Sequence, residues 1–130
     1  MSSLKKLDNK HEFVEVYHVI LKSVDAFQIL SPNLPKQFLK LVQEIYASFY
    51  RSECLIRRAS DSYIIEDKIR DLIQAKNEIF DIYTSIEIIV RGKGFSIGAA
   101  NTIIDIMYDV VEQLNKWINS LNKKQGMSVN

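Results

Sequence analysis

The chain predicts an all-α protein, an antiparallel up-down-up-down four-helix bundle, and three observations carry that prediction. Apolar residues recur at helical spacing through almost its whole length. Glycine and proline are scarce, four and two in 130 residues, whereas a sheet protein needs turn chemistry roughly every ten residues. The breaks fall in only three places and leave four long segments joined by short links, which makes successive helices antiparallel neighbours.

The first helix, over about residues 8–30, sets Phe13, Val16, Tyr17, Ile20, Val24 and Phe27 on one face. Ser31-Pro32-Asn33-Leu34-Pro35 ends it, because proline lacks the backbone donor and clashes with the preceding turn. Pro35 then suits the first turn of the second helix, about 35–58, whose apolar face is Phe38, Leu41, Val42, Ile45, Phe49 and Ile56. Ala59-Ser60-Asp61-Ser62 is a polar break with three N-cap candidates. The third helix, about 63–91, carries Ile65, Ile69, Leu72, Ile79, Tyr83, Ile86 and Val90; its isoleucines favour strand locally, but the helical period overrides them.

Gly92-Lys93-Gly94-Phe95-Ser96 supplies a glycine C-cap and a serine N-cap. The fourth helix, about 96–123, centres on Ile103, Met107, Val110, Leu114 and Leu121. Ile106 and Trp117 flank that stripe on one side, and Ile104, Val111 and Ile118 on the other. Its apolar arc exceeds the roughly 100° that a surface helix needs. Residues 124–130 are expected to form a disordered tail.

Hydrophobic residues at 47% and charged ones at 25% describe a globular chain, and 130 residues suffice for one domain, 1–130, with its own core. A net charge of +1 gives no global attraction to nucleic acid, so any such role rests on how the charges are distributed. Cys54 is the single cysteine, which excludes an internal disulfide and suits a reducing cytoplasm. No apolar run approaches the roughly twenty residues of a membrane span, and none follows Lys5 and Lys6 as a signal peptide requires. A cytoplasmic protein without a membrane partner is expected.

Catalytic signatures are absent, and the chain reads as a non-enzyme without cofactor or metal. His11 and His18 lie seven apart on one helix with no further ligands named nearby. No histidine follows residue 18, so the arginine-then-histidine motif of helical ribonucleases cannot form. Glu66, Asp67, Asp71, Glu78, Asp81 and Glu87 fall largely off the apolar stripe and lack the Glu-x-x-His pattern of di-iron bundles, as a solvated face does. Arg51, Arg57 and Arg58 near Cys54 favour a thiolate, but the default is a semi-buried structural cysteine. Gly92-Lys93-Gly94 is a helix break and no phosphate loop.

Two surface features suggest binding. An up-down-up-down bundle gathers Lys5, Lys6, Lys10, Arg51, Arg57, Arg58, Lys116, Lys123 and Lys124 at one end, with Tyr50 and Trp117 nearby, an arrangement able to hold phosphates and stack bases. Of these, Lys10, Arg51, Arg57, Arg58, Lys116, Lys123 and Lys124 are the candidate nucleic-acid contacts. The competing explanation is that cations at helix C-termini complement the helix dipole while acids of the third helix neutralise them. Surplus apolar residues, Phe80, Ile88, Ile104, Ile106 and Tyr108, are the candidate interface of a homo-oligomer.

Leu34-Pro35-Lys36 opening the second helix, the Gly-x-Gly-Phe-Ser break at 92–96, and the closing Gln113-Leu114-Asn115-Lys116-Trp117-Ile118-Asn119-Ser120-Leu121 together carry a family resemblance. From about Phe13 to Lys124 the chain resembles small bacterial four-helix-bundle proteins of two related types. One is encoded in intervening sequences of large-subunit ribosomal RNA genes; the other comprises accessory variability determinants of diversity-generating retroelements. The resemblance implies a self-associating bundle, often a pentameric ring. For the retroelement type it also implies a non-enzymatic partner of a reverse transcriptase that binds RNA or DNA. The alternative is a structural protein–protein interaction module with no nucleic-acid role.

Overall fold

The computed structural model describes residues 10–129, and among them there are four α-helices and no strand. They are α1 (Lys10–Leu30), α2 (Leu39–Asp61), α3 (Ile65–Arg91) and α4 (Ile97–Val129). Packing runs round the bundle, α1 on α2, α2 on α3, α3 on α4 and α4 on α1, as the up-down-up-down order requires. The core follows a strict four-three spacing. Leu72, Ala75, Ile79, Ile82, Ile86 and Ile89 are buried in α3, and Ala100, Ile103, Met107, Val110, Leu114, Trp117 and Leu121 in α4. The shorter helices do the same with Val16, Ile20, Ser23 and Phe27, and with Ile45, Phe49, Ser52, Ile56 and Ala59. A 3.5-residue repeat keeps one seam facing its neighbours along the whole helix, the spacing of coiled-coil-like bundles.

One register holds along α3 and α4. Glu66 meets Gln125, Lys76 meets Asn115 and Tyr83 meets Tyr108, so equal steps along the two helices run in opposite directions. The α2/α3 seam is likewise regular, with Arg51 on Glu78 and Arg58 on Asp71.

The two ends of the bundle close by different means. At the end holding the α1–α2 and α3–α4 connections, Phe27 packs edge-on to Tyr46 and Phe95 at 5.1 and 6.1 Å. The Phe38 ring packs against the glycine turn there. A Cβ at Gly92 would come within 2.8 Å of the Phe38 ring, and one at Gly94 within 2.6 Å of Ile89 Cγ2. Those glycines are therefore required by close approach, while the left-handed residue of the turn is Lys93 at φ 65°. At the other end, Lys68 is buried and its Nζ donates to the carbonyls of Ala59 (2.8 Å) and Ser60 (3.3 Å). A lysine from α3 thus satisfies acceptors that the end of α2 leaves open.

Several local expectations differ from what is found. Pro35 precedes a 3₁₀ turn, Lys36–Phe38, and α2 begins only at Leu39. Residues 59–61 belong to α2, and Ser62 accepts the N–H of Ile64 at 3.2 Å instead of capping α3. Ser96 does cap α4, accepting the N–H of Ala99 at 3.1 Å. Residues 124–129, expected to be a disordered tail, continue α4 as helix. The expected face of α3 mixed two stripes: Ile65, Ile69, Tyr83 and Val90 are half-buried at its edge, whereas Lys68, Ala75, Ile82 and Ile89 are inside. Trp117 is wholly buried in the central stripe of α4 rather than on its flank.

Candidate interaction surfaces

The cations of the expected basic end are largely committed to partners within the chain. Arg58 grips Asp71 with two parallel bonds, Nε to Oδ2 and Nη2 to Oδ1, both 3.0 Å. Asp71 is only 1% exposed, so the expectation that it lies on a solvated acidic face is corrected. Its carboxylate also lies 3.5 Å from Arg70, which satisfies a buried charge that α3 would otherwise bring inside unpaired.

Arg51 sits nearly three turns in from the end of α2 and bridges Glu78 (3.1 Å), Glu44 (3.2 Å) and Ser48 (3.1 Å). Hydrogen bonds to Glu44 and Glu78 raise its pKa, as the bond to Asp71 does for Arg58. Arg57 lies 5.5 Å from the centres of both the Phe13 and Tyr17 rings, which stack on each other. Lys116 approaches Glu112 at 3.6 Å. Lys10, Lys123 and Lys124 have no acid within ion-pair distance among the described residues. Lys5 and Lys6 lie outside the described residues.

The apolar surplus gathers along the outside of α3 and its α4 seam. Ile73, Phe80 and Ile88 of α3 are 42%, 43% and 39% exposed, and Ile97 and Tyr108 of α4 are 70% and 59% exposed. Ile104 is half-buried against the core beside them, while Ile106, also half-buried, points about 200° away on the α1 side of α4. Tyr83 joins the two helices, its ring 5.7 Å from Phe80 and 5.5 Å from Tyr108. Its hydroxyl is buried without a hydrogen-bond partner. Burial, and then the neighbouring Tyr108, push that phenol up to about 12. Beside it lies a hollow of about 280 Å³ lined by Tyr83, Glu87, Ile97, Asn101 and Ile104 among others. A second, of about 400 Å³, follows the same seam between Glu66, Ile69, Ile73 and Asn122.

Cys54 is exposed rather than semi-buried, in a cleft with Tyr50, Arg51 and Arg58. The neighbouring Cys54 thiol is the largest cause holding the Tyr50 phenol above its ordinary value. His11 and His18 are exposed, and among the described residues no three His, Cys, Asp or Glu side chains converge as a metal site needs. No helix among those residues is long and apolar enough to cross a membrane. The Arg58–Asp71 clamp and the buried Lys68 were not read from the sequence. The one signal is for Lys68, whose position continues the four-three spacing of Leu72 and Ala75 toward the start of α3; Asp71 lies beside that stripe.

No family model, characterised protein or solved structure matches this chain.

Proposed function

We propose that the protein acts by binding and not by catalysis, as a self-associating four-helix interaction module. Its working surface is the outer face of α3 with the adjoining edge of α4. The observation that carries this reading is the cluster of Phe80, Tyr83 and Tyr108, whose rings meet beside the hollow lined by Ile97 and Ile104, with exposed Ile73 two turns back along α3. Single exposed apolar residues are ordinary on any protein, but a continuous patch is the mark of an interface. Phe80, Ile88, Ile104 and Tyr108 are its candidate interface residues, and Ile106 lies off that face. Light scattering at micromolar concentration tests the reading: a mass above one 15.1 kDa chain is expected, and a single-chain mass throughout sinks it.

A second reading has its own support. Lys10, Lys123 and Lys124 lack acidic partners among the described residues and share an end of the bundle with Arg57. These four are the remaining candidates for phosphate contacts, in a nucleic-acid-binding accessory protein of the retroelement type that works with a reverse transcriptase. Arg51, Arg58 and Lys116 support it less, because their donors already face carboxylates. Filter binding to RNA and DNA at low salt, with Lys123→Glu/Lys124→Glu beside the parent, separates the readings. Salt-sensitive binding lost in the variant supports a nucleic-acid role; no binding removes it.

A further inference from the structure

The exposed ridge of α3 has a charge pattern that reads the same against itself reversed. Glu66, Arg70, Ile73, Asn77, Phe80, Thr84, Glu87 and Arg91 follow one another at alternating four- and three-residue steps, and every one is exposed. That is the spacing of a second coiled-coil seam, on the side of α3 opposite its core. Laid antiparallel on a copy of itself about an axis between Asn77 and Phe80, the ridge sets Glu66 against Arg91 and Arg70 against Glu87. It also sets Ile73 against Thr84, and Asn77 against Phe80.

We propose that the surface of α3 is an isologous, antiparallel interface whose occupant is the same ridge of a second copy. Charge complementarity selects both direction and register. Parallel, in-register pairing would put Glu66, Arg70, Glu87 and Arg91 each against its own kind. Slipping the antiparallel pair by a heptad would put Arg70 on Phe80 and Glu66 on Thr84. Only the register above makes four opposite-charge contacts at the ends and keeps Ile73 and Phe80 in the uncharged middle between them.

The groups needed are available. Among the described residues Glu87 and Arg91 form no ion pair, although they stand one turn apart on α3. Glu66 accepts from Gln125, and Arg70 shares its guanidinium with Asp67 and Asp71 while remaining 59% exposed. A two-fold pairing brings the α4 edges of the two copies to the same side, so Tyr83 and Tyr108 extend the patch instead of leaving it.

The inference rests on the self-association reading, and its test keeps the two apart. Sedimentation equilibrium of the full chain should give a dimer. Glu87→Arg, which sets like charges against Arg70 of the second copy, should weaken it at least about tenfold. Arg70→Glu combined with Glu87→Arg should restore it; if Arg70→Glu impairs folding, Glu66→Arg should weaken the dimer likewise and Arg91→Glu added to it should restore it. Spin labels in a Cys54→Ser background fix the direction. Labels at Asn77 should lie within about 20 Å of each other, and labels at Glu66 about 37 Å apart, the rise from residue 66 to residue 91.

A single-chain mass for the parent overturns the self-association reading and this inference with it. An associating parent indifferent to Glu87→Arg, swaps that do not restore, close Glu66 labels, or a mass of five chains would each overturn the antiparallel pairing alone. The last does so because a two-fold contact cannot close an odd ring.

Discussion

On its α2 side α3 meets its neighbour through charge: Asp71 is clamped by Arg58, Glu78 by Arg51, and Lys68 reaches across to the end of α2. On its α4 side the same helix presents Ile73, Phe80 and Tyr83, and Lys76 to Asn115 (2.9 Å) is its one mid-seam hydrogen bond among the described residues. The first seam is closed, since its donors and acceptors find each other within the chain. The second continues outward as apolar surface and carries a buried hydroxyl without a partner. The difference teaches where binding capacity remains. Arginines already saturated by carboxylates have little left to offer a phosphate, whereas an apolar ridge still exposed to water gains free energy when covered.

Four variants sharpen the contrast. Asp71→Ala should have the largest effect, lowering stability by about 2–3 kcal/mol in urea unfolding, because a buried carboxylate loses charge-assisted bonds that organise the closed seam. Gly94→Ala should lose about 1–3 kcal/mol in the same assay by overpacking the turn that sets α3 against α4, where its Cβ would meet Ile89 and Phe38.

Tyr83→Phe should gain about 0.5–1 kcal/mol, because it removes a buried hydroxyl that has no partner. Its gain should also grow with pH. Below pH 10 folded and unfolded chains both hold the phenol proton; between 10 and about 12 only the folded chain does, so the parent loses stability as pH rises through that window. Stability curves that stay parallel across this range would contradict the assignment. Arg51→Ala should cost least, about 0.5 kcal/mol and less at high salt, since its pairs are largely exposed.

How much of this was legible in the sequence depends on the kind of interaction. Ile103, Met107, Val110 and Leu114 announce their helix because one apolar face repeats without interruption, and the scarcity of breaks leaves few topologies to choose from. In α3 the isoleucines occupy two neighbouring stripes, Lys68 stands within the buried one and Asp71 is buried beside it, so the core could not be told from its edge. Asp71 looked solvated because its partner, Arg58, lies on another helix, and that pairing depends on a register which appears only once the helices pack. Trp117 was set on the flank by a 3.6-residue wheel; the 3.5-residue repeat of the bundle brings it into the stripe. The apolar surplus of Phe80, Ile88 and Tyr108 was legible, because exposure of large residues off the core stripe follows from spacing alone.

The most direct test of the central claim, that the open face of α3 joins copies of the chain, is sedimentation equilibrium of the parent beside Phe80→Glu across the micromolar range. The parent should rise with concentration to twice 15.1 kDa while a folded Phe80→Glu stays at one chain. A parent that remains at 15.1 kDa, or a Phe80→Glu that associates as the parent does, would contradict it.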